Sequence, residues 1–108
     1  MIDKETEKIL LNFANVTTRE SWPTEDSRAF YMGENLFAII HEKSSPLKID
    51  LKIDANLAKL LREKYESVAF ATRLDKRFWV EILATGQLSD DDIRDLLRHA
   101  YEFAKHSL

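Results

Sequence analysis

The segment from residue 47 to residue 53 constrains the fold more than any other part of the chain. Four apolar residues alternate there with three charged ones, in the order LKIDLKI. Successive side chains of a β-strand point to opposite faces of its sheet, so strict alternation predicts a strand with one buried and one wet face. The predicted buried positions are Leu47, Ile49, Leu51 and Ile53. The predicted exposed positions are Lys48, Asp50 and Lys52.

Helices and further strands are predicted on both sides of this segment. Ile9, Leu10 and Phe13 have helical spacing, and residues 17–26 show no sustained period and are interpreted as a loop. Two apolar stretches, 27–32 and 36–42, flank Gly33 and predict a hairpin. Asp54 is expected to cap a second helix, strands are expected at 68–72 and 78–83, and Ser89 is expected to open a last helix.

The predicted order of elements is therefore α-β-β-β-α-β-β-α. Short loops between successive strands favour antiparallel pairing, and the three helices can cover one face of the sheet. We predict an α+β fold in which residues 1–108 form one domain. It has a single antiparallel sheet with helices packed on one face, and the other face is partly open.

Composition excludes several classes of function. The chain has no cysteine, and its longest apolar run, residues 36–40, is far shorter than the roughly 20 residues of a membrane span. With only two glycines, a phosphate-cradling loop or a dinucleotide fingerprint is nearly excluded. The N-terminal residues also lack a signal-peptide apolar core. We expect a cytosolic monomer that needs no cofactor, does not bind membranes and is not an enzyme.

Positive charge is concentrated in the middle of the chain. The net charge is −3, but residues 43–77 hold nine basic and five acidic side chains. Within this segment Arg73, Lys76 and Arg77 run directly into Phe78 and Trp79. Cations can contact phosphates, and aromatic rings can stack on bases. The sequence thus predicts a candidate nucleic-acid site made of Lys48, Lys52, Arg73, Lys76, Arg77 and Trp79.

An alternative interpretation of the same segment is structural. In it the two rings belong to the core and the cations lie on the surface of a turn. Phe78 and Trp79 are neighbours in one strand and point to opposite faces, so at most one of them can line a given surface. Even with all five cations, the site would neutralise about two or three phosphates, which is enough only for weak binding at roughly 10⁻⁴ to 10⁻⁶ M.

Three further groups of polar residues receive structural interpretations. His41 is interpreted as a polar residue at a strand end. Glu102 and His106 lie four residues apart on the last helix and are interpreted as part of a solvated face. Asp90, Asp91 and Asp92 occupy the first turn of that helix, where its dipole favours acids. No metal site is predicted.

The second half of the chain resembles the MmcQ/YjbR family. The similarity covers about residues 27–105 and is sharpest at Lys76-Arg77-Phe78-Trp79-Val80 and at Ala100-Tyr101. The resemblance implies a CyaY-like fold, related in shape to the double-wing DNA-binding domain of a phage transcription factor. It also implies an uncharacterised bacterial-type protein with a family label of DNA binding, although fold does not establish function.

Three functions remain open from the sequence. The first is a weak DNA-binding or regulatory module, and the second is a module that binds a protein or a small ligand on the open sheet face. The third is an enzyme whose site the sequence does not reveal. The first two differ in salt dependence, because only phosphate contacts release counterions.

Overall fold

The computed structural model describes residues 1–84 and 86–106. The helices are α1 (Asp3–Asn12), α2 (Ala55–Lys64) and α3 (Asp90–Lys105). The strands are β1 (Val16–Glu20), β2 (Ser27–Met32), β3 (Asn35–His41), β4 (Lys48–Lys52), β5 (Val68–Phe70) and β6 (Trp79–Leu83). The strands form one antiparallel sheet in the order β1-β2-β3-β4-β6-β5, which confirms the predicted α+β class.

Strand β1 corrects the predicted order of elements. The chain runs α-β-β-β-β-α-β-β-α, so it has one strand more than the sequence indicated before α2. β1 pairs with β2 and places Thr18 opposite Phe30, in the segment that was interpreted as a loop. It is an edge strand, and four of its five residues are exposed. Because neither of its faces is buried, its sequence shows no alternation of apolar and polar residues. Main-chain pairing creates this strand, and the residue pattern could not show it.

All three helices pack on one face of the sheet. Leu10 of α1, Leu61 of α2 and Leu97 of α3 share a single buried cluster with the apolar side of the strands. The four alternating apolar residues of segment 47–53 belong to this cluster, as predicted. Helix α3 also presents its expected inner face, made of Ile93, Leu96, Leu97, Ala100, Tyr101 and Ala104.

Side-chain caps set where α2 and α3 begin. The Asp54 carboxylate accepts hydrogen bonds from the backbone N–H groups of Asn56 and Leu57. At α3, the Ser89 hydroxyl accepts from the N–H of Asp92, and the Asp92 carboxylate accepts from the N–H of Ser89. These contacts satisfy donors that the first helical turn leaves unpaired, so both predicted starts are confirmed.

In the described part of the chain no helix packs on the second sheet face, which has a small apolar cluster of its own. Its buried members are Ala29, Ile39, Ala71 and Trp79. Trp22 and Leu74, from two loops, pack against it and cover part of the face. No helix among the described residues is long and apolar enough to span a bilayer.

The structure confirms the face on which Asp50 lies but corrects its predicted exposure to solvent. Lys48 and Lys52 are partly exposed, but Asp50 is only 3% exposed. Asp50 lies in the middle of a central strand, between Ile39 on β3 and Glu81 on β6. The neighbouring strands and the loops above them therefore bury a position that alternation alone assigns to solvent.

Candidate functional site

A cleft of about 730 Å³ opens on the helix-free face of the sheet. Loop 22–26 forms one wall and loop 72–74 the other, so Trp22 and Leu74 line its sides. Ile39 supplies an apolar part of the floor. Ligand sites are typically concave and mostly apolar, with a few convergent polar groups. The cleft has this character.

The polar part of the floor is created by the register of three neighbouring strands. Asp50 of β4 lies opposite Glu81 of β6, and His41 of β3 lies opposite Lys48 in the adjacent row. Residues two apart on a strand share a face, so His41 and Asp50 point to the same side as Glu81. We call His41, Asp50 and Glu81 the floor cluster.

His41 and Asp50 form the closest contact of the floor cluster. The His41 Nε2 atom lies 2.8 Å from Asp50 Oδ2 and 4.0 Å from Glu81 Oε2. The hydrogen bond to Asp50 raises the pKa of His41 above its usual value of 6.5, against the opposing effect of burial. The imidazolium form is thus favoured next to the buried carboxylate.

Glu81 completes the cluster from the next strand. Burial is the largest cause that raises the pKa of Glu81, and the charge of Asp50 and a hydrogen bond to it add to the effect. Lys48 opposes this shift, with its Nζ atom 3.9 Å from Glu81 Oε1. The two carboxyl groups have oxygens within 4.8 Å of each other, so they share a proton or need a nearby cation to remain ionised together.

One atom of the floor cluster has no partner. Asp50 Oδ1 is buried and accepts no hydrogen bond from an N–H or O–H donor of residues 1–84 and 86–106. Buried polar groups are nearly always hydrogen-bonded, so an orphaned carboxylate oxygen requires an explanation. A proton on Glu81 or a bound cation would satisfy it.

Two residues of the predicted nucleic-acid site lie in the lining of the cleft, and the others lie outside that lining. Lys48 and Arg73 line the cleft, and Arg73 adopts a left-handed backbone with φ of 68°. Arg77 pairs with Asp75 in the turn before β6, through contacts of 2.9 and 3.2 Å, and this pairing lowers the pKa of Asp75.

Lys76 and Lys52 lie near the same turn. The Lys76 ammonium sits over the Phe70 ring, 5.8 Å from its centroid. Lys52 is partnered in register with Trp79, and its charge contributes to the lowered pKa of Asp75. Trp79 is only 5% exposed, so its ring belongs to the buried cluster of the second face.

The floor cluster was not predicted from the sequence. His41 was interpreted as a strand-end residue, and Asp50 and Glu81 were not assigned a role. The only available signal was that Asp50 and Glu81 lie on the polar faces of their strands. The sequence does not show that β4 and β6 are neighbours, because 30 residues separate Asp50 from Glu81 and these include α2 and β5.

The three aspartates at the start of α3 and His106 at its end have structural partners. Asp91 pairs with Arg94, Asp92 completes the cap of the helix, and Asp90 pairs with the chain's N-terminal amine. His106 lies 3.6 Å from Glu102 on an exposed surface. These contacts agree with the structural interpretations of both groups.

Comparisons with known proteins identify relatives of the chain. A family model described as YjbR matches residues 11–103. The uncharacterised protein YjbR of Escherichia coli K12 is 32% identical over 73 residues, which is 68% of this chain and 62% of that protein. The alignment therefore spans less than two thirds of the length of this relative.

Solved structures share the fold. Deinococcus radiodurans protein DR2400, with domain DUF419, has a TM-score of 0.87 at 20% identity, covering 98% of this chain and 80% of that chain. A Pseudomonas syringae protein has a TM-score of 0.78 at 19% identity, covering 96% and 99%. At such identities the likeness shows the fold alone.

Proposed function

The chain belongs to the YjbR family, and we propose that it binds a small organic acid in the cleft of the second sheet face, without catalysing a reaction. The observation that carries this proposal is the convergence of apolar walls and polar floor in one cavity of about 730 Å³. A cavity of this size falls within the range that encloses small molecules. We also propose that the protein acts in the cytosol.

The lining of the cleft indicates the chemistry of the ligand. Trp22, Leu74 and Ile39 offer an apolar surface for a ring or a branched aliphatic body. Arg73 is exposed at the cleft and forms no ion pair or side-chain hydrogen bond with the described part of the chain. A guanidinium binds carboxylates and phosphates through paired N–H donors, so a free Arg73 favours an anionic ligand.

The hydroxyl groups of the cleft favour binding over nucleophilic catalysis. The Ser44 hydroxyl donates to the carbonyl of Pro46, and the Thr24 hydroxyl lies 2.7 Å from that of Ser27. His41 uses its Nε2 atom on Asp50. A nucleophile needs a base within hydrogen-bond reach. Among the described residues, no hydroxyl of Thr24, Ser44 or Thr72 forms a hydrogen bond with the His41 imidazole, and the contact of Ser44 with His41 is a backbone one, from its N–H to the His41 carbonyl.

A nuclear magnetic resonance titration tests this proposal. The probes are a panel of small aromatic and branched aliphatic carboxylic acids, added to ¹⁵N-labelled protein in the presence of a chelator. We expect shifts at the Trp22 indole and at the backbone amides of Ile39 and Arg73. Replacing Trp22 or Arg73 by Ala should weaken binding by about tenfold, because each removes one of the two contact types.

Phe70→Ala is the matched control. Phe70 is an exposed aromatic residue that contacts Arg62 of α2, away from the cleft. Its replacement should leave the affinity for the acids unchanged. Shifts centred on the helices, or no shift with any acid in the panel, would contradict the proposed function.

Weak DNA binding is the second candidate function. It is favoured by a group of cations at the turn before β6. Lys76 and Arg77 lie in this turn, and Lys52 is near enough for its charge to lower the pKa of Asp75 there. This group of cations lies outside the cleft lining. The two functions can therefore be separated by variants, as argued at the end of the Discussion.

A further inference from the structure

We propose that the floor cluster of His41, Asp50 and Glu81 is a binding site for a divalent transition-metal ion such as Zn²⁺. Each of the three side chains offers one ligand atom, and these atoms all lie within 4.8 Å of one another. The side chains come from the neighbouring strands β3, β4 and β6. A rigid sheet therefore fixes their spacing, as metal sites require.

The orphaned oxygen of Asp50 is an independent observation that points to a cation. The Asp50 side chain is more than nine-tenths buried, and its Oδ1 atom lacks a donor. Burying a carboxylate without full compensation is costly unless it is paired or coordinates a metal. A metal ion among the three side chains would give the Oδ1 side of this carboxylate a partner, whereas His41 contacts only its Oδ2 atom.

The donor set and its charge match such an ion. One imidazole nitrogen and two carboxylate oxygens are donors that zinc accepts in proteins, and the imidazole favours transition metals over Mg²⁺ or Ca²⁺. The two negative charges of Asp50 and Glu81 balance a divalent cation. Lys48, beside Glu81, is partly exposed and can turn away from the site.

Only small movements are needed to admit the ion. Ligand atoms at about 2.1 Å from a tetrahedral zinc lie about 3.4 Å apart. The 2.8 Å contact between His41 and Asp50 must therefore lose its shared proton and open by roughly half an ångström. The partly exposed side chains of His41 and Glu81 give the ion a route from the cleft.

Three protein ligands leave one position of a tetrahedral ion open, and here it would face the cleft. Catalytic zinc sites keep such a position for water or substrate. In this protein an oxygen of the organic acid would occupy it, while the apolar body of the acid packs against Trp22. This role in ligand binding rests on the proposed function, whereas metal binding itself does not.

Titration of the chelator-treated full chain with ZnCl₂ in a calorimeter tests the metal site. We expect one equivalent to bind, and His41→Ala and Asp50→Asn to weaken that binding by about tenfold or more. Asp50→Asn preserves the shape of the side chain, and circular dichroism checks that each variant is folded. MgCl₂ should bind more weakly than ZnCl₂ because of the imidazole ligand.

Glu102→Gln and Asp26→Asn are the controls. Glu102 forms the exposed pair with His106, and Asp26 is a carboxylate at the cleft outside the floor cluster. Both variants should bind Zn²⁺ like the unaltered protein. Unchanged affinity in Asp50→Asn, or loss of binding in Glu102→Gln, would overturn the proposal.

Paramagnetic broadening by MnCl₂ gives a measurement that needs no variant. At substoichiometric Mn²⁺ we expect the amide signals of residues 39–41, 49–51 and 80–82 to broaden first. Broadening that begins at residues 90–92 or 102–106 would contradict the site.

If Zn²⁺ fails to bind while the carboxylic acids still shift the cleft signals, the metal proposal fails and the proposed function stands. Zn²⁺ binding without any acid binding gives the reverse result.

Discussion

At the scale of single residues, the contact between His41 and Asp50 links the stability of the protein to pH. Asp50 raises the pKa of His41 by a hydrogen bond and by its charge, Glu81 acts in the same direction, and Lys48 opposes them. Folding therefore stabilises the imidazolium form. The contribution of the charged contact to the free energy of unfolding is fully present below the unfolded-state pKa of about 6.5. It is lost as the pH rises through the higher pKa of His41 in the folded state.

Comparison of His41→Gln with the unaltered protein tests this link. Free energies of unfolding in urea, measured with a chelator present, should differ more at about pH 5.5 than at about pH 8.5. The control is His106→Gln, because that side chain is exposed just after the end of α3 and lies outside the cleft. An equal difference at the two pH values would show that the His41 contact does not depend on its charge.

The alternating segment makes a second prediction at this scale. Leu51 is fully buried in the helix-covered core, so Leu51→Ala should lower the free energy of unfolding by about 2 to 5 kcal/mol. Leu60→Ala is the matched control, since Leu60 is 57% exposed. Chemical denaturation of both variants measures the contrast. A comparable loss in the two variants would be inconsistent with the register of β4.

At the scale of elements, local patterns predict a helix better than they predict a sheet. The cap at Ser89 and the helical spacing of Ile93 and Leu97 define α3 within its own residues. In contrast, β1 exists because its backbone pairs with β2, and Asp50 is buried because β3, β6 and two loops surround it. Non-local contacts of this kind leave no period in the sequence.

The same reasoning explains which parts of the site could be predicted. Alternation placed Lys48 and Asp50 on one face of β4, which is the face that lines the cleft. The position of Glu81 beside Asp50 required knowledge that β6 pairs with β4. Trp22 reaches the cleft from a loop, where sequence offers no rule for direction.

The cap of α3 is a prediction about an element. Ser89→Ala removes the hydroxyl that accepts from the N–H of Asp92, and it should lower the free energy of unfolding by about 0.5 to 2 kcal/mol. Ser89→Asp retains an acceptor at the cap and should lose little. Urea denaturation of the two variants measures the difference. Equal losses would show that the hydroxyl contact does not stabilise the helix start.

At the scale of the whole molecule, part of the positive charge of the middle segment lies in the cleft and part lies outside the cleft lining. Lys48 and Arg73 go to the cleft, whereas Lys52, Lys76 and Arg77 remain near the turn before β6. Asp75 offsets Arg77, and Glu81 lies close to Lys48. These two acidic partners therefore reduce the number of cations of the middle segment that are available to phosphates.

Salt dependence separates DNA binding by the turn cations from ligand binding in the cleft. If duplex DNA binds at the turn, fluorescence anisotropy should give an affinity of roughly 10⁻⁴ to 10⁻⁶ M with a log-log salt slope of about −2 to −3. Replacing both Lys76 and Arg77 by Ala should weaken all DNA sequences about equally, because phosphate contacts carry no base code. Trp22→Ala is the control and should leave DNA binding unchanged, since Trp22 lines the cleft. No binding at low salt, or an unchanged affinity in the double variant, would contradict a DNA-binding role for the turn and leave the cleft as the candidate functional surface.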